Sequence, residues 1–359
     1  MSFSLGKAIC ELPGPVMLTG HTGFKGTWMT LLLERLAIPV VGYSLLADKD
    51  SLFARMDRFG AIKETVADIR DRNRLEEFIK AHKPSVIIHM AAQPLVLNSY
   101  ENPKETFDIN VMGTANILEL ALQENCVKST LVVTTDKVYK NNNSGQAFVE
   151  TDALGGKDPY SASKVGTEMV VSAFRQKAVV EKSTSKFLTV RAGNVIGGGD
   201  FAPNRLIPDF IRAQINRENL FIRNPASTRP WQHVLDPLVG YLLALENSVQ
   251  EKDAGFESFN FGPLEPSLHV KEVINICSNA WKPNFDVNFN QVTVDSEMES
   301  SHLQLDPTLA LNLLGWRPFW TQQEAVKETI NWWLNVLEHG ISPIDAAQSD
   351  ISVVLSKWT

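Results

Sequence analysis

Short apolar runs rich in β-branched residues alternate with longer helical segments through the first 192 residues of this 359-residue chain. Such near-continuous runs are typical of parallel strands that are buried on both faces of a sheet. Because helices joining parallel strands form right-handed crossovers, the pattern predicts an α/β, doubly wound parallel sheet of the Rossmann type. The predicted strands are 16–19, 40–44, 62–67, 86–90, 131–134 and 187–191, and the predicted helices are 27–37, 72–82, 104–124 and 160–176.

The strict alternation ends after Asn194, where glycine, proline and arginine become frequent. The later pattern predicts helices at 238–247, 270–281 and 322–337 and a strand at 258–261. We therefore expect a Rossmann-type domain over 1–192, completed by segments near 236–262. A smaller C-terminal substrate-binding lobe is expected over 193–235 and 263–345, followed by a polar tail at 346–359.

Composition excludes several classes of protein. The formal net charge of −7 argues against a nucleic-acid or anionic-membrane partner, because both favour clustered Lys and Arg. The three cysteines lie far apart, without the spacing of a metal site or a disulfide framework. No apolar run approaches the roughly 18 residues of a membrane span, and no secretory leader is apparent. These features predict a soluble, cytoplasmic protein that binds no metal.

A glycine-rich turn separates the first predicted strand from the first predicted helix. Gly20, Gly23 and Gly26 have the GxxGxxG spacing of a dinucleotide-binding turn, and the strand–turn–helix context is the one such a motif requires. Gly20 would permit the tight turn, Gly23 the approach of a pyrophosphate, and Gly26 the packing of helix on strand. The alternative is that these glycines only shape a loop.

The end of the second strand bears on the choice of cofactor. Dinucleotide folds place an acidic residue there to bind the ribose 2′-hydroxyl, whereas an arginine would bind a 2′-phosphate. Residues 42–45 contain neither, and Asp48 lies further out, so the sequence favours NAD over NADP only slightly. Asp68, after the third strand, could meet the adenine or could cap the following helix.

Two further patterns suggest a catalytic site. Tyr160 and Lys164 form a YxxxK pair on one helical face, where an ammonium could lower the tyrosine pKa and make the phenol a general base. The alternative is a solvated helix face. Thr135, Asp136 and Lys137 follow the fifth strand, and carboxyl ends of strands face the ligand crevice in such sheets. A hydroxyl alone suffices at this position for a simple reductase with such a sheet, so the acid and the amine indicate further proton transfers.

A hydroxyl, an aspartate and a lysine in this order resemble the sugar-nucleotide dehydratases of the extended short-chain dehydrogenase/reductase superfamily. The dTDP-glucose type carries glutamate in place of Lys137. Across about residues 16 to 335 the chain most resembles the CDP-glucose 4,6-dehydratases, although 140–148 is shorter and richer in asparagine. The segments that carry the resemblance are 20–28, 90–95, 154–160, 191–200 and 222–234.

The resemblance implies conversion of CDP-glucose to CDP-4-keto-6-deoxy-glucose with NAD. Tyr160 would take the C4-hydroxyl proton, Lys137 the C5 proton, and Asp136 would protonate the departing C6 hydroxyl, with Thr135 and Lys164 completing the catalytic set. Asn194, Arg205 and Arg229 would bind the substrate, although each arginine could instead form a salt bridge. The cofactor would contact Gly20, Thr22, Gly23, Phe24, Lys25, Gly26, Asp68, Ile69, Ala91, Ala92, Gln93, Tyr160 and Lys164.

Relatives also suggest a homodimer formed by the helices at 104–124 and 160–176. Two other functions stay open: a dehydratase or epimerase acting on UDP-N-acetylglucosamine or a UDP-hexose, and a non-catalytic NAD-binding sensor. His89 and His233 are expected to be structural. Trp316, Trp332 and Trp333 are expected to pack the C-terminal helix rather than to stack on a base.

Overall fold

The computed structural model describes residues 4–141, 145–222, 224–250, 257–289 and 303–358. Its centre is a parallel sheet of seven strands in the order β11-β6-β5-β4-β1-β2-β3. The strands are β1 Val16–Thr19, β2 Val40–Ser44, β3 Lys63–Val66, β4 Val86–His89, β5 Ser129–Val133, β6 Lys186–Ala192, β7 Asn194–Ile196, β8 Leu220–Ile222, β9 Thr228–Arg229, β10 Trp231–His233, β11 Ser258–Phe261, β12 Leu268–His269 and β13 Val287–Phe289. The predicted doubly wound α/β fold is confirmed.

Helices cover both faces of the sheet and build most of the rest of the molecule. They are α1 Lys7–Cys10, α2 Phe24–Arg35, α3 Leu52–Arg55, α4 Arg72–His82, α5 Val96–Glu101, α6 Pro103–Phe107, α7 Gly113–Gln123, α8 Pro159–Glu181, α9 Leu206–Asn216, α10 Leu235–Val249, α11 Val270–Ala280, α12 Thr308–Leu314, α13 Gln322–Leu337 and α14 Pro343–Leu355. Within the described ranges, none of these helices is long and apolar enough to cross a bilayer.

The strand order places a crevice where the sheet changes direction. From β1 the chain continues outward to β2 and β3, and β4 then pairs with the other side of β1. Crossovers on either side of β1 therefore lie on opposite faces, which opens a crevice at the carboxyl ends of β1 and β4. A ligand of this sheet is expected there.

Side chains of each central strand alternate between two hydrophobic clusters. Val16 and Leu18 of β1 belong to one cluster, and Met17 between them belongs to the other. This period of two is the consequence of strand geometry and explains why both faces must be apolar. Trp316, Trp332 and Trp333 are fully buried in the larger cluster, as expected of residues that pack the C-terminal helices.

The helix predicted at 104–124 is divided into α6, a π-helical turn at Asp108–Met112, and α7. The turn carries Asn110, whose side-chain oxygen accepts the N–H of Gln93 at 2.8 Å. Its amide donates to the Gln93 carbonyl at 3.1 Å and to Ser163 Oγ at 2.9 Å. Such turns recur at functional sites, and this one ties the loop after β4 to α8.

The polar tail predicted at 346–359 is wrong for most of its length. Residues up to Leu355 belong to α14, which Ser342 caps by accepting the N–H of Asp345. Buried residues of this helix join the large hydrophobic cluster, and they are Ala346, Ala347, Ile351, Val354 and Leu355. Ser, Asp and Gln lie between these buried residues and lower the mean hydropathy of the segment. The apolar face of the helix was therefore not recognised from composition.

Helix α14 also places Asp350 beside a buried histidine. Asp350 Oδ2 lies 3.9 Å from His233 Nε2, and neither atom has a hydrogen-bond partner among the residues that the structure describes. Burial raises the pKa of Asp350 to about 7, and the charge of Glu328 adds to this effect. Burial lowers the pKa of His233 to about 3, so at neutral pH the imidazole brings no compensating charge.

We expect Asp350→Asn to stabilise the protein at pH 8 and to have little effect below pH 4. The folded-state pKa lies above the unfolded value, so the stability associated with the protonated carboxyl is lost as pH rises from about 4 through 7. Linkage limits the gain to about 4 kcal/mol. Urea unfolding at pH 5 and pH 8 measures it, with the exposed Asp48→Asn as control. An equal effect of Asp350→Asn at both pH values would contradict this account.

Candidate active site

The glycine turn lies at the carboxyl end of β1, as its sequence context predicts. Gly20 has φ +73°, a conformation that side chains disfavour. A Cβ at Gly26 would come within 2.1 Å of the Gly20 carbonyl oxygen, so α2 can pack on the turn only without a side chain there. Position 20 therefore requires glycine for its backbone conformation, and position 26 requires it for the packing of α2 on the turn.

The remaining glycine of the motif faces outward. Gly23 is exposed and forms the N-cap of α2, and a Cβ there would meet only the Gly20 carbonyl oxygen within 4 Å. The N–H groups of the first helical turn point toward this position, which suits the phosphate of a dinucleotide. The small half-buried residues Ala91 and Ala92, after β4, border the same crevice. The geometry fits the predicted NAD site.

Three predicted cofactor residues have partners within the protein. Thr22 Oγ1 lies 2.7 Å from Ser44 Oγ and donates to the Leu45 carbonyl at 3.0 Å, so it joins the glycine turn to the end of β2. Gln93 donates to the Leu95 carbonyl and to Thr106 Oγ1. Phe24 packs against the large hydrophobic cluster. These side chains shape the crevice through their neighbours.

Asp68 lies at the end of β3 and does not cap the following helix. Asp71 caps α4 by accepting the N–H of Arg74. The Asp68 carboxylate instead binds the Arg70 guanidinium at 2.6 Å, which holds the pKa of Asp68 below its usual value. Ile69, next to it, is buried against Gly113. The capping alternative is wrong, and the cofactor role of Asp68 stays a prediction.

Lys25 points into the protein rather than along its surface. Its Nζ lies 3.4 Å from the Tyr241 hydroxyl. Burial lowers the pKa of Lys25 to about 8, and the positive charges of Arg205 and Lys164 add to the effect, while Asp136 opposes it. The ammonium therefore lies near the predicted catalytic residues, although the sequence motif suggested a contact with the cofactor.

Thr135 joins the two halves of the predicted catalytic set. It follows β5 and its hydroxyl hydrogen-bonds the Tyr160 phenol. The same hydroxyl donates to Asp136 Oδ1 at 3.0 Å. Since a hydroxyl can donate one hydrogen bond and accept another, Thr135 can donate to Asp136 while it accepts from the neutral Tyr160 phenol. The base predicted for oxidation and the acid predicted for elimination therefore share one neighbour.

The pKa of Tyr160 differs from the sequence expectation. Burial raises it to about 12, and the Thr135 hydroxyl and the charge of Arg205 only partly oppose this. The lowering of this pKa by Lys164 stays a prediction, and the Lys164 Nζ donates to the Val133 carbonyl at 3.0 Å. Burial lowers the pKa of Lys164 to about 8, and the charge of Glu168 opposes this effect.

Asp136 is almost completely buried, with only 2% of its surface exposed. Its Oδ2 has no hydrogen-bond partner among the described residues. Burial raises the pKa of this carboxyl, although the charges of Lys137, Arg229 and Lys25 oppose the rise. A raised pKa favours the neutral acid, which is the form that can donate a proton to a leaving hydroxyl. Lys137, the next residue, is half-buried.

The three predicted substrate residues lie around the same crevice. Asn194 is half-buried on β7, which pairs in parallel with β10 so that Trp231 lies opposite Asn194. Arg229 lies two residues before Trp231, and its charge acts on Asp136. Arg205 binds Asp200 at 2.9 Å, so the salt-bridge alternative holds for it, yet its charge also acts on Tyr160. The positive charge collected here suits a diphosphate.

His89 and His233, both buried, have hydrogen-bond partners within the protein. His89 is buried, with its ring nitrogens 2.7 Å from Thr19 Oγ1 and 3.0 Å from Thr114 Oγ1, which is the predicted structural role. His233 Nδ1 accepts the N–H of Leu235 at 3.4 Å. Among the described residues, no cluster of His, Cys, Asp and Glu has the arrangement of a metal site.

The fold and this site define an extended short-chain dehydrogenase/reductase. A family model described as GDP-mannose 4,6 dehydratase matches residues 17–329. The chain therefore belongs to this family of sugar-nucleotide dehydratases, and the resemblance predicted from its motifs is confirmed.

Relatives of known activity extend over most of the chain. It is 40% identical over 323 residues to a CDP-glucose 4,6-dehydratase of Salmonella typhimurium, covering 88% of this chain and 89% of that protein. It is 26% identical to a dTDP-glucose 4,6-dehydratase of Shigella flexneri, covering 89% of this chain and 92% of the relative.

Solved structures share the fold at lower identity. A UDP-glucose 4-epimerase from Thermotoga maritima superposes with a TM-score of 0.76 at 21% identity, covering 90% of this chain and 100% of that one. A dTDP-glucose 4,6-dehydratase from Streptomyces venezuelae, solved with NAD bound, gives a TM-score of 0.75 at 23% identity, covering 92% and 99%.

Proposed function

We propose that this protein is an NAD-dependent dehydratase that converts CDP-glucose to CDP-4-keto-6-deoxy-glucose. The observation that carries the proposal is the adjacency of Asp136 and Lys137 to Tyr160, joined through Thr135. A simple reductase or epimerase needs no acid and amine beside its tyrosine. The 40% identity to a CDP-glucose 4,6-dehydratase supports the nucleotide and the hexose.

When bound, NAD⁺ supplies the hydride acceptor for C4 and afterwards the hydride for C6. Tyr160 takes the proton of the C4 hydroxyl, which leaves a 4-ketone and acidifies the hydrogen at C5. Lys137 takes that proton, and Asp136 gives its proton to the C6 hydroxyl, which leaves as water. The proton held by Lys137 returns to C5 when C6 receives the hydride. The burial that raises the pKa of Asp136 favours the protonated acid that this step needs, and Thr135 contacts both the tyrosine and the aspartate.

The test of the proposed function is a panel of nucleotide hexoses. The alkaline absorbance of 4-keto sugars reports dehydration, and CDP-glucose is expected to give the highest kcat/KM. Faster turnover of UDP-N-acetylglucosamine or of a UDP-hexose would show that CDP-glucose is not the preferred substrate. An epimerase would interconvert C4 epimers without releasing water. A non-catalytic sensor would bind NAD and turn over none of the panel.

We expect Arg229→Ala to weaken binding of CDP by roughly 10- to 100-fold and to leave NAD affinity within about twofold. A charge-assisted hydrogen bond to phosphate contributes about 1.5–3 kcal/mol, which gives this range. Calorimetry with CDP and with NAD measures both constants. Arg317→Ala, an exposed arginine in the same half of the chain, is the control. CDP affinity equal to wild type would place Arg229 outside the nucleotide site.

A homodimer is also proposed, with the helices of residues 104–124 and 160–176 at the contact. Exposed apolar side chains on this side support it, among them Met112 and Met169, each more than half exposed. Sedimentation at micromolar concentration is expected to give twice the mass of the 39.9 kDa chain. An active monomer under assay conditions would contradict this proposal.

A cytoplasmic location is consistent with the three unpaired cysteines.

A further inference from the structure

A buried ion pair lies directly behind the catalytic segment. Glu168 and Arg191 are each about 4% exposed, and Arg191 Nε lies 2.8 Å from Glu168 Oε1. The second guanidinium contact, from Nη2 to Glu168 Oε2, measures 3.0 Å, so the pair is bidentate. Glu168 also accepts hydrogen bonds from Thr134 and Thr189. The charges of Arg191 and these hydroxyls keep the pKa of Glu168 low in spite of its burial.

This pair reaches both ends of the segment 135–138. On one side, Thr134 Oγ1 donates to Glu168 Oε1 at 2.6 Å, immediately before Thr135. On the other side, Arg191 Nη1 donates to the Tyr139 hydroxyl at 2.7 Å, immediately after Val138. The same helix α8 carries Tyr160 and Lys164, with Glu168 one turn beyond the lysine.

Tyr139 extends the network to the second half of the chain. Its hydroxyl donates to Asn260 Oδ1 on β11 at 2.8 Å. Asn260 Nδ2 in turn donates to the Phe148 carbonyl at 2.9 Å, and the Tyr139 and Phe148 rings stack at 4.8 Å. Tyr139 is 2% exposed, and its hydroxyl already has Arg191 and Asn260 as hydrogen-bond partners.

We propose that Glu168, Arg191 and Tyr139 are positioning residues that fix Asp136 and Lys137 relative to Tyr160. The inference rests on the proposed function, because it concerns the two steps assigned to these groups. Tyr160 and Lys164 are carried by α8, which the ion pair anchors on strands β5 and β6. Asp136 and Lys137 lie in a short turn whose far end is held through Tyr139. Loosening that end affects elimination more than oxidation at C4.

Tyr139→Phe is the sharpest test, because it removes one hydroxyl and keeps the stacked ring. Removing either charge of the ion pair would leave the other buried without a partner, and the fold itself would suffer. Under single-turnover conditions with saturating NAD, we expect Tyr139→Phe to form NADH within about threefold of the wild-type rate. Displacement of a catalytic group by about 1 Å can cost 10²-fold, so exchange of the C5 hydrogen with deuterated water is expected to fall about 10- to 100-fold.

Thr329→Val is the matched control, since it also removes a buried hydroxyl, one that donates to the Ala325 carbonyl within helix α13. Both of its rates are expected to match wild type. A double-mutant cycle gives a second measurement. If Tyr139 acts through Lys137, then adding Tyr139→Phe to Lys137→Met should change C5 exchange by less than about threefold.

Equal slowing of NADH formation and C5 exchange by Tyr139→Phe would overturn the proposal, because a purely structural role affects both. Wild-type values for both rates would overturn it as well, and so would full additivity in the cycle. Failure of the proposed function is recognised separately, since the wild-type chain would then not dehydrate CDP-glucose. In that case the rates of NADH formation and C5 exchange would be compared on whichever nucleotide hexose of the panel is turned over.

Discussion

Tyr160→Phe is expected to lower kcat by about 10²- to 10⁴-fold, the usual contribution of a general base. The substitution removes only the hydroxyl, so the ring stays packed and NAD affinity should change by less than about twofold. No NADH should form when substrate is added, because the C4 hydroxyl is not deprotonated. Stopped-flow absorbance at the NADH band measures this step directly.

Tyr100→Phe provides the matched control, since Tyr100 is an exposed tyrosine on α5. Its rate should equal that of wild type. If Tyr160→Phe keeps more than about a tenth of wild-type activity, the base is another group. The raised pKa of Tyr160 makes a further prediction for the wild-type enzyme: kcat/KM should increase with pH through the neutral range, because more of the phenolate becomes available.

Lys137→Met should separate oxidation from elimination. Methionine matches lysine in length and lacks the base, so NADH should still form on the enzyme while C5 exchange in deuterated water falls by about 10²- to 10⁴-fold. Mass spectrometry of recovered substrate measures the exchange. The exposed Lys128→Met is the control.

Asp136→Asn should complement that result, because its assigned task is protonation of the C6 hydroxyl. C5 exchange should survive better than water loss in this variant. If proton removal and water loss are concerted, both variants will fail together at the same step. If Lys137→Met exchanges the C5 hydrogen at the wild-type rate, another group removes that proton, and Tyr160 is the next candidate.

Local sequence patterns were sufficient for the features that depend on neighbouring residues. The apolar runs located all six strands of the first half, and β1 and β2 were predicted with the bounds that the structure shows. The glycine turn and the YxxxK pair were recognisable since their spacing alone brings the side chains together. Lys164 and Tyr160 lie four residues apart on one helix.

Features that depend on distant contacts were not predictable in the same way. The inward direction of Lys25 is set by Tyr241, more than 200 residues later. The raised pKa of Tyr160 follows from burial, which a motif does not reveal. Glu168 offered one signal, because it continues the spacing of Tyr160 and Lys164 along α8, but its partner Arg191 comes from a separate strand. The π-helical turn around Asn110 had no recognisable pattern.

The late position of β11 in the chain has a consequence for synthesis on the ribosome. The outer strand of the sheet is contributed by Ser258–Phe261, long after β6, its neighbour, has been made. Until then the nascent sheet presents an unpaired edge at β6. Asn260 also arrives with β11, so the Tyr139 hydroxyl can donate to Asn260 Oδ1 only from that point. The first 192 residues released alone should therefore aggregate readily, and a chaperone that covers a strand edge would protect this protein between the synthesis of β6 and that of β11.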